Sequence, residues 1–209
     1  EVLTNLAPAA NELAAALTAF TADVQSLNVG PAYGPFQGKA SAALQGAKDL
    51  LPQLTLLVKT LPSIAVLLGA NGPQKWFVAL QNGGESRGTG GLLGSFAIVD
   101  LDNGKAVPVQ IGANDLLTAK ANPSLLPKDS QALWGPARLA EVYGVNLSPN
   151  FPYAGELVSS MWQKQSGTLP NAVLALDQRA TALLIEAVGG ITVDGVTLTG
   201  ANAVQYLSV

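Results

Sequence analysis

Apolar residues in the first third of this chain recur at an alternating spacing of three and four, and beyond Lys75 that spacing gives way to short continuous apolar runs. Leu3, Leu6, Ala10, Leu13, Leu17, Phe20, Val24 and Leu27 fall on one seam of a helix. Ala40, Leu44, Ala47, Leu51, Leu54, Val58 and Leu61 repeat the pattern, with Pro52 expected to kink or restart the second helix. The Pro/Gly segment NVGPAYGPFQG between them predicts an antiparallel helical hairpin over residues 1–70. Such a pair serves either as a stalk or partner-binding coil, or as packing for its own domain. Its many alanines and sparse charge favour packing on the core.

Residues 71–209 read as an α/β domain with a mixed sheet flanked by helices. Trp76 to Leu80 and Leu93 to Leu101 are strand-like, and Asp102-Asn103-Gly104 before Lys105 to Ile111 signals a hairpin. Gly112 to Pro136 is long for a connection and suggests a lid, a site wall or a poorly ordered segment. Pro136 to Tyr143 reads as a short helix, and Asn150 and Pro152 suit the start of another running to about Gln165. Trp134 and Trp162 read as core or rim packing. Ala172 to Leu176 is a predicted strand, Asp177 a helix cap, Gly189-Gly190 a helix stop, and Ile191 to Leu198 one or two strands, a β-α-β pattern. The final predicted helix, Ala201 to Leu207, has no C-cap, so the unit is expected to be truncated at its C-terminus.

Composition removes whole classes of chemistry. Among 209 residues there is no cysteine and no histidine. Thiol nucleophiles, Cys/His zinc sites, Ser-His-Asp triads and imidazole acid-base catalysis are therefore excluded. What remains is carboxylates, arginine, lysine, hydroxyls, or a carboxylate-held ion such as magnesium. A net charge of −3 with scattered basic residues gives no footprint for nucleic acid. Leu50 to Ala70, the most apolar stretch, is broken by Pro52, Lys59 and Pro62 and is expected to fail as a membrane span. A chain that starts with Glu1 is expected to have lost a leader or an N-terminal anchor.

The candidate site is the segment QNGGESRGTGGLLGS, Gln81 to Ser95. Glycines admit positive φ and close approach of backbone N–H groups, and Arg87 offers a planar fork of donors for phosphate or carboxylate. Two readings fit: an anion site built on Arg87 and Glu85 with Asn82, Gly90 and Gly91 as ligand contacts, or a hairpin connection with Glu85 and Arg87 paired in solvent. Asp115, Asn146 and Asn150 are further candidate contacts, with helix capping the alternative role for Asn150.

The segments LLVKTLPSIAVLLGANGPQKWFVALQNGGESRGTGGLLGSF, NLSPNFPYAGELVSSMW and AVLALDQRATALLIEAVGGITVDGVTLTGANAVQYL resemble the bacterial envelope family called domain of unknown function 4012. That family in turn resembles the LytR-CpsA-Psr phosphotransferases, which move glycopolymers from polyprenyl-pyrophosphate carriers to the cell wall outside the cytoplasmic membrane. The resemblance implies an extracytoplasmic envelope domain, Arg87 beside Glu85 as the site's anchor, and a polyprenyl-phosphate lipid, a cell-wall glycan or an envelope protein as partner. If the chain is a transferase, magnesium is implied near Glu85 or Asp115. Thr89 stands where the phosphotransferases have an acid, their later arginine would fall near Ser208, and Asn150 stands where the closer family usually has an acid. Two expectations follow: a non-catalytic domain that binds a ligand, glycan or partner at the Gly-rich loop, and, second, the transferase itself.

Overall fold

The computed structural model describes residues 2–208. The chain forms two compact units, one of residues 1–73 with Asp102–Lys105, the other of residues 74–101 and 106–209.

The first unit is a pair of long helices, α1 (Val2–Ser26) and α2 (Gln37–Leu67), joined through the 3-10 segment Pro31–Phe36. Thr21 Oγ1 lies 3.4 Å from Thr55 Oγ1, and Gln25 meets Lys48, so the helices run antiparallel. The seam differs from the predicted one. Ala10, Ala14 and Val24 are buried, whereas Leu13, Phe20 and Leu27 are about half exposed. Both rows satisfy a three-four spacing and share Ala10, Leu17 and Val24. The smaller residues of the row Ala7, Ala14 and Thr21 let the backbones come closer, and that row faces the partner helix. On α2 the same choice buries Thr55 and Ala65 and leaves Leu50, Leu54, Leu57 and Ile64 exposed.

Pro52 and Pro62 do not interrupt α2, contrary to expectation. A proline at position 52 removes the hydrogen bond that Lys48 O would receive. Gln25 Nε2 of α1 donates to that carbonyl instead, at 2.9 Å. Lys48 Nζ reciprocates, donating to Gln25 O and Leu27 O at the end of α1, where carbonyls lack helical partners. By length and composition alone the helical stretch Gly34–Leu67 is long and apolar enough to cross a membrane, whereas the sequence predicts that Leu50 to Ala70 fails as a span. The unit is completed by the turn Asp102–Lys105, where Gly104 N donates to Leu68 O at 2.8 Å.

The second unit is built on a four-stranded sheet in the order β3 (Lys105–Ala113), β2 (Gly90–Asp102), β1 (Gln74–Arg87), β4 (Ala172–Leu176). β1 pairs antiparallel with β2 and parallel with β4, so the sheet is mixed as expected. Asn103 and Gly104 both take positive φ, the conformation that a two-residue Asn-Gly turn requires.

Alternation along β1 sends Phe77 and Ala79 to one face, beside Ile98 and Phe96 of β2. Helix α5 (Phe151–Ser166) covers this face with Leu157, Val158, Met161 and Trp162. Phe77 and Phe96 stack with centroids 5.4 Å apart, and Trp162 meets them edge-on and tilted at 6.0 and 5.7 Å. The long connection after β3 is ordered core structure rather than a loose lid. Leu117, Ala121, Leu126 and Leu139 enter the same cluster from it, the last from α4 (Pro136–Leu139), which follows α3 (Lys128–Trp134).

After β4, α6 (Gln178–Ala187) begins at Asp177, whose Oδ1 accepts from Ala180 N at 2.7 Å, the expected cap. The predicted order of strand, helix and two short strands holds, with β5 (Ile191–Val193) and β6 (Val196–Leu198) forming a separate two-stranded ribbon. Leu198 packs with Ala182 and Ile185 of α6 and Ala203 of α7 (Ala203–Tyr206), a second small core.

Replacing Phe77 with alanine removes the ring at the centre of the aromatic trio and is expected to cost about 3–5 kcal/mol in urea unfolding of the full chain. Gln25→Ala leaves Lys48 O without its donor and is expected to cost about 1 kcal/mol, read as earlier thermal loss of helical circular dichroism.

Candidate functional site

The Gly-rich segment is mostly paired strand rather than open loop. Its residues form the end of the β1–β2 hairpin, with Gln81 opposite Leu93, Asn82 opposite Leu92, Ser86 opposite Gly91 and Arg87 opposite Gly90. Between Asn82 and Ser86 three residues, Gly83, Gly84 and Glu85, bulge out of β1 while β2 advances by a single position.

Side-chain amides fill the bulge. Gly83 N donates to Gln178 Oε1 and Gly84 N to Asn82 Oδ1, both at 3.1 Å, and Gln178 Nε2 donates to Asn82 Oδ1 at 3.3 Å. Asn82 Nδ2 reaches Glu85 Oε1 at 3.5 Å. The backbone N–H groups of Gly83 and Gly84 are thus engaged by Gln178 and Asn82.

Beside the bulge a cleft of about 430 Å3 opens where the parallel pairing of β1 with β4 ends, at Leu80 and Leu176, the C-terminal end of β4. Leu80, Leu176 and Leu207 give it apolar surface, and Asn82, Ser95, Gln178, Thr181 and Ser208 supply amides and hydroxyls. Asp177 is the single ionisable residue in its lining, and its carboxylate is held by the α6 cap. The position suits a ligand: in open α/β sheets crevices form beyond the carboxyl ends of strands, where loops diverge and a helix begins.

Arg87 lies elsewhere. It lines a separate cleft of about 320 Å3 with Arg138, Glu141, Tyr143, Gly144 and Leu147. Its Nη1 donates to Ser86 O at 3.0 Å, and its buried Nε has no partner among the described residues. No ion pair joins Glu85 to Arg87 among the described residues, and Glu85 stays exposed in the bulge. Asp115 is exposed in the one-turn helix Asn114–Leu116 and lines neither cleft. Neither Glu85 nor Asp115, the two acids named for magnesium, lines either cleft, and among the described residues no three acidic side chains gather.

Asn146 is buried and works as a latch, its Nδ2 donating to Gly91 O at 2.6 Å. The hairpin end is pressed close on this side. A methyl group on Gly88 would come within 2.3 Å of Leu147 O, and one on Gly91 within 2.1 Å of Asn82 O, so both positions demand glycine. Asn150 occupies the N-cap position of α5, but its side chain makes no capping bond; instead Ser148 Oγ accepts from Asn150 N at 3.1 Å. Asn82 is therefore brought into the β1–β4 cleft, Arg87 into the other, and Gly90, Gly91 and Asn146 into the structure that separates them.

Gln178, Thr181, Ser95 and Arg138 were not picked out from the sequence. The strand–Asp177–helix junction held the signal for the first two, since a capped helix directly after a parallel strand marks a crevice. For Arg138, in the short helix that the sequence does predict over Pro136 to Tyr143, no local feature ties it to Arg87, 51 positions earlier. Asn146→Ala removes the latch from a buried carbonyl and is expected to cost about 1–3 kcal/mol in urea unfolding. Gly88→Ala is expected to break the contact with Leu147, seen as faster amide exchange across residues 86–91.

No curated protein and no solved structure matches the chain. The family described as Protein of unknown function (DUF4012) matches residues 71–209. The match takes in the whole hairpin, both clefts and the α6 junction, and the chain belongs to this DUF4012 family.

Proposed function

We propose that this chain is a binding domain of the bacterial cell envelope, placed on the outer side of the membrane, which takes a glycan or a similar uncharged polyhydroxylated ligand in the cleft beyond β1 and β4. The observation that carries the reading is the lining of that cleft. Amides and hydroxyls from Asn82, Gln178, Ser95, Thr181 and Ser208 alternate with the leucine surfaces of Leu80, Leu176 and Leu207. A sugar ring has the same character, with hydroxyls at its edge and C–H groups on its faces. An anionic ligand would meet Asp177 and no basic side chain there. At about 430 Å3 the space lies within the ordinary range for small-molecule sites.

Transferase chemistry would require Arg87, Glu85 and Asp115 to meet around one ligand beside an apolar channel. The separation of Arg87 from the Asn82 cleft supports binding over group transfer. The envelope setting rests on the family resemblance, and α2 is compatible with attachment to a membrane.

In the test, neutral hexose and N-acetylhexosamine oligosaccharides are titrated into the full chain while the side-chain amide resonances of Asn82 and Gln178 are followed by NMR. A saturable shift of both is expected with at least one saccharide, weakened roughly fivefold in Gln178→Ala through loss of one neutral hydrogen bond. No shift with any saccharide, or the same affinity in the variant, would remove the reading.

A further inference from the structure

The helical pair carries more apolar surface than two helices can use. Ala10, Ala14 and Val24 of α1 and Thr55 and Ala65 of α2 are buried in it. Beside the seam that Ala14 and Thr55 mark lies a second row. Leu13, Phe20 and Leu27 follow one another at intervals of seven on α1, the last just past its end, and each is about half exposed. Leu50, Leu54 and Leu57 form the matching row on α2, spaced four and three, and are also exposed. A strict seam between two helices is narrow, whereas a helix inside a bundle shows an apolar arc of about 100° or more. From Ala14 through Leu17 and Leu13 to Phe20, the apolar arc of α1 spans roughly 120° at 3.6 residues per turn.

Both rows lie on one face of the pair. Leu13 precedes Ala14, and Leu54 precedes Thr55, by one residue, a turn of about 100° in the same sense. In antiparallel helices, displacements of the same sense from the shared seam fall on the same side. The groove on the other side obeys this rule: Thr18 of α1 lines it with Pro52, Leu56 and Lys59 of α2, and all four are turned from the seam in the opposite sense. The charges avoid the leucine face. Lys48 and Lys59 are turned to the groove side, Glu12, Asp23 and Asp49 lie toward the backs of the helices, and only Lys39, in the first turn of α2, borders the face among the described residues.

We propose that this leucine face is a homodimer interface, on which two copies of the helical pair close into a four-helix bundle. Its size fits. The face runs along the 25 residues of α1, about 37 Å, and is two helices or about 20 Å wide. That gives roughly 700 Å2 per copy, close to the approximately 800 Å2 that each partner contributes to a standard stable interface. Its charge fits a protein partner better than a lipid surface. Residues 2–67 hold three acids and three lysines, so the pair has no net charge to draw it to anionic lipid, and it lacks the dense Lys and Arg of helices that lie on membranes. An uncharged face meets its own copy without repulsion, and a two-fold axis through it covers the rows of one protomer with those of the other. The interface involves only the first unit, so it stands or falls apart from the cleft of the second.

The test is sedimentation velocity of the full chain across the micromolar range. A concentration-dependent dimer is expected. Phe20→Lys and Leu54→Lys each set two charges into the joined faces, one per copy, and are expected to weaken dimerisation at least about a hundredfold. Asn11→Lys, on the groove side of α1, is expected to leave it unchanged. All three positions are exposed in the single chain, so the variants keep the helices, and far-ultraviolet circular dichroism verifies it. Co-sedimentation with phosphatidylcholine vesicles tests the bilayer as occupant. A chain that stays monomeric in solution and binds the vesicles assigns the face to lipid and overturns the proposal. A monomer that binds neither, a dimer that both leucine-face variants leave intact, or equal weakening by Asn11→Lys would overturn it too.

Discussion

The end of the β1–β2 hairpin is held by the buried hydrogen bond from Asn146 Nδ2 to Gly91 O, together with that from Gln81 Nε2 to Thr89 Oγ1, and residues of this hairpin line both clefts. Gly91 pairs with Ser86, so fixing Gly91 fixes the residue on each side of Ser86 in β1. Toward the strand interior lies the bulge Gly83–Glu85, whose amides Gln178 and Asn82 close off. Toward the turn lies Arg87. A slack hairpin end would let these two surfaces exchange residues as the strands slipped. A buried side-chain amide cannot trade its partner for water without loss, so the contact is specific as well as stabilising.

The glycines make that contact possible by their lack of side chain more than by flexibility. Gly88 and Gly91 carry ordinary or extended backbone, yet neither has room for a methyl group. A sequence rich in glycine is readily taken for a mobile loop. Here the same composition marks close packing, strand against strand and strand against residues 147–149. The N–H groups of Gly83 and Gly84 are engaged from within the protein. Gln178, at the start of α6, presents its amide to the bulge because Asp177 caps the helix one residue earlier and so sets the direction of its first turn.

Much of the architecture was readable from residue periods and punctuation. The change of spacing after Lys75 separates helices from strands, Asn103-Gly104 gives the turn, and Asp177 gives the start of α6 to the residue. What was not readable depends on packing between distant segments. Leu13 and Ala14 both satisfy a helical seam, and only the closeness of the second helix decides that Ala14 is buried. Residues 112–136 look like a loop because their apolar residues have no period, although Leu117, Ala121 and Leu126 each reach the core singly. Arg87 and Arg138 are 51 positions apart, and nothing local announces that they share a cleft. Partition of Asn82 and Arg87 between two surfaces needed the bulge, which no spacing rule predicts.

Pro52 carries a last implication for the helical unit. Because it leaves Lys48 O open, α2 bears an acceptor that Gln25 of α1 reaches, and Lys48 returns the bond. A sliding error of one helical turn, about 5.4 Å, would carry that acceptor past its donor while the leucine and alanine surfaces still matched almost as well. Apolar seams of this kind are nearly indifferent to such slips. The proline acts as a key cut into an otherwise smooth rod, giving two greasy helices one alignment out of several that their side chains would accept.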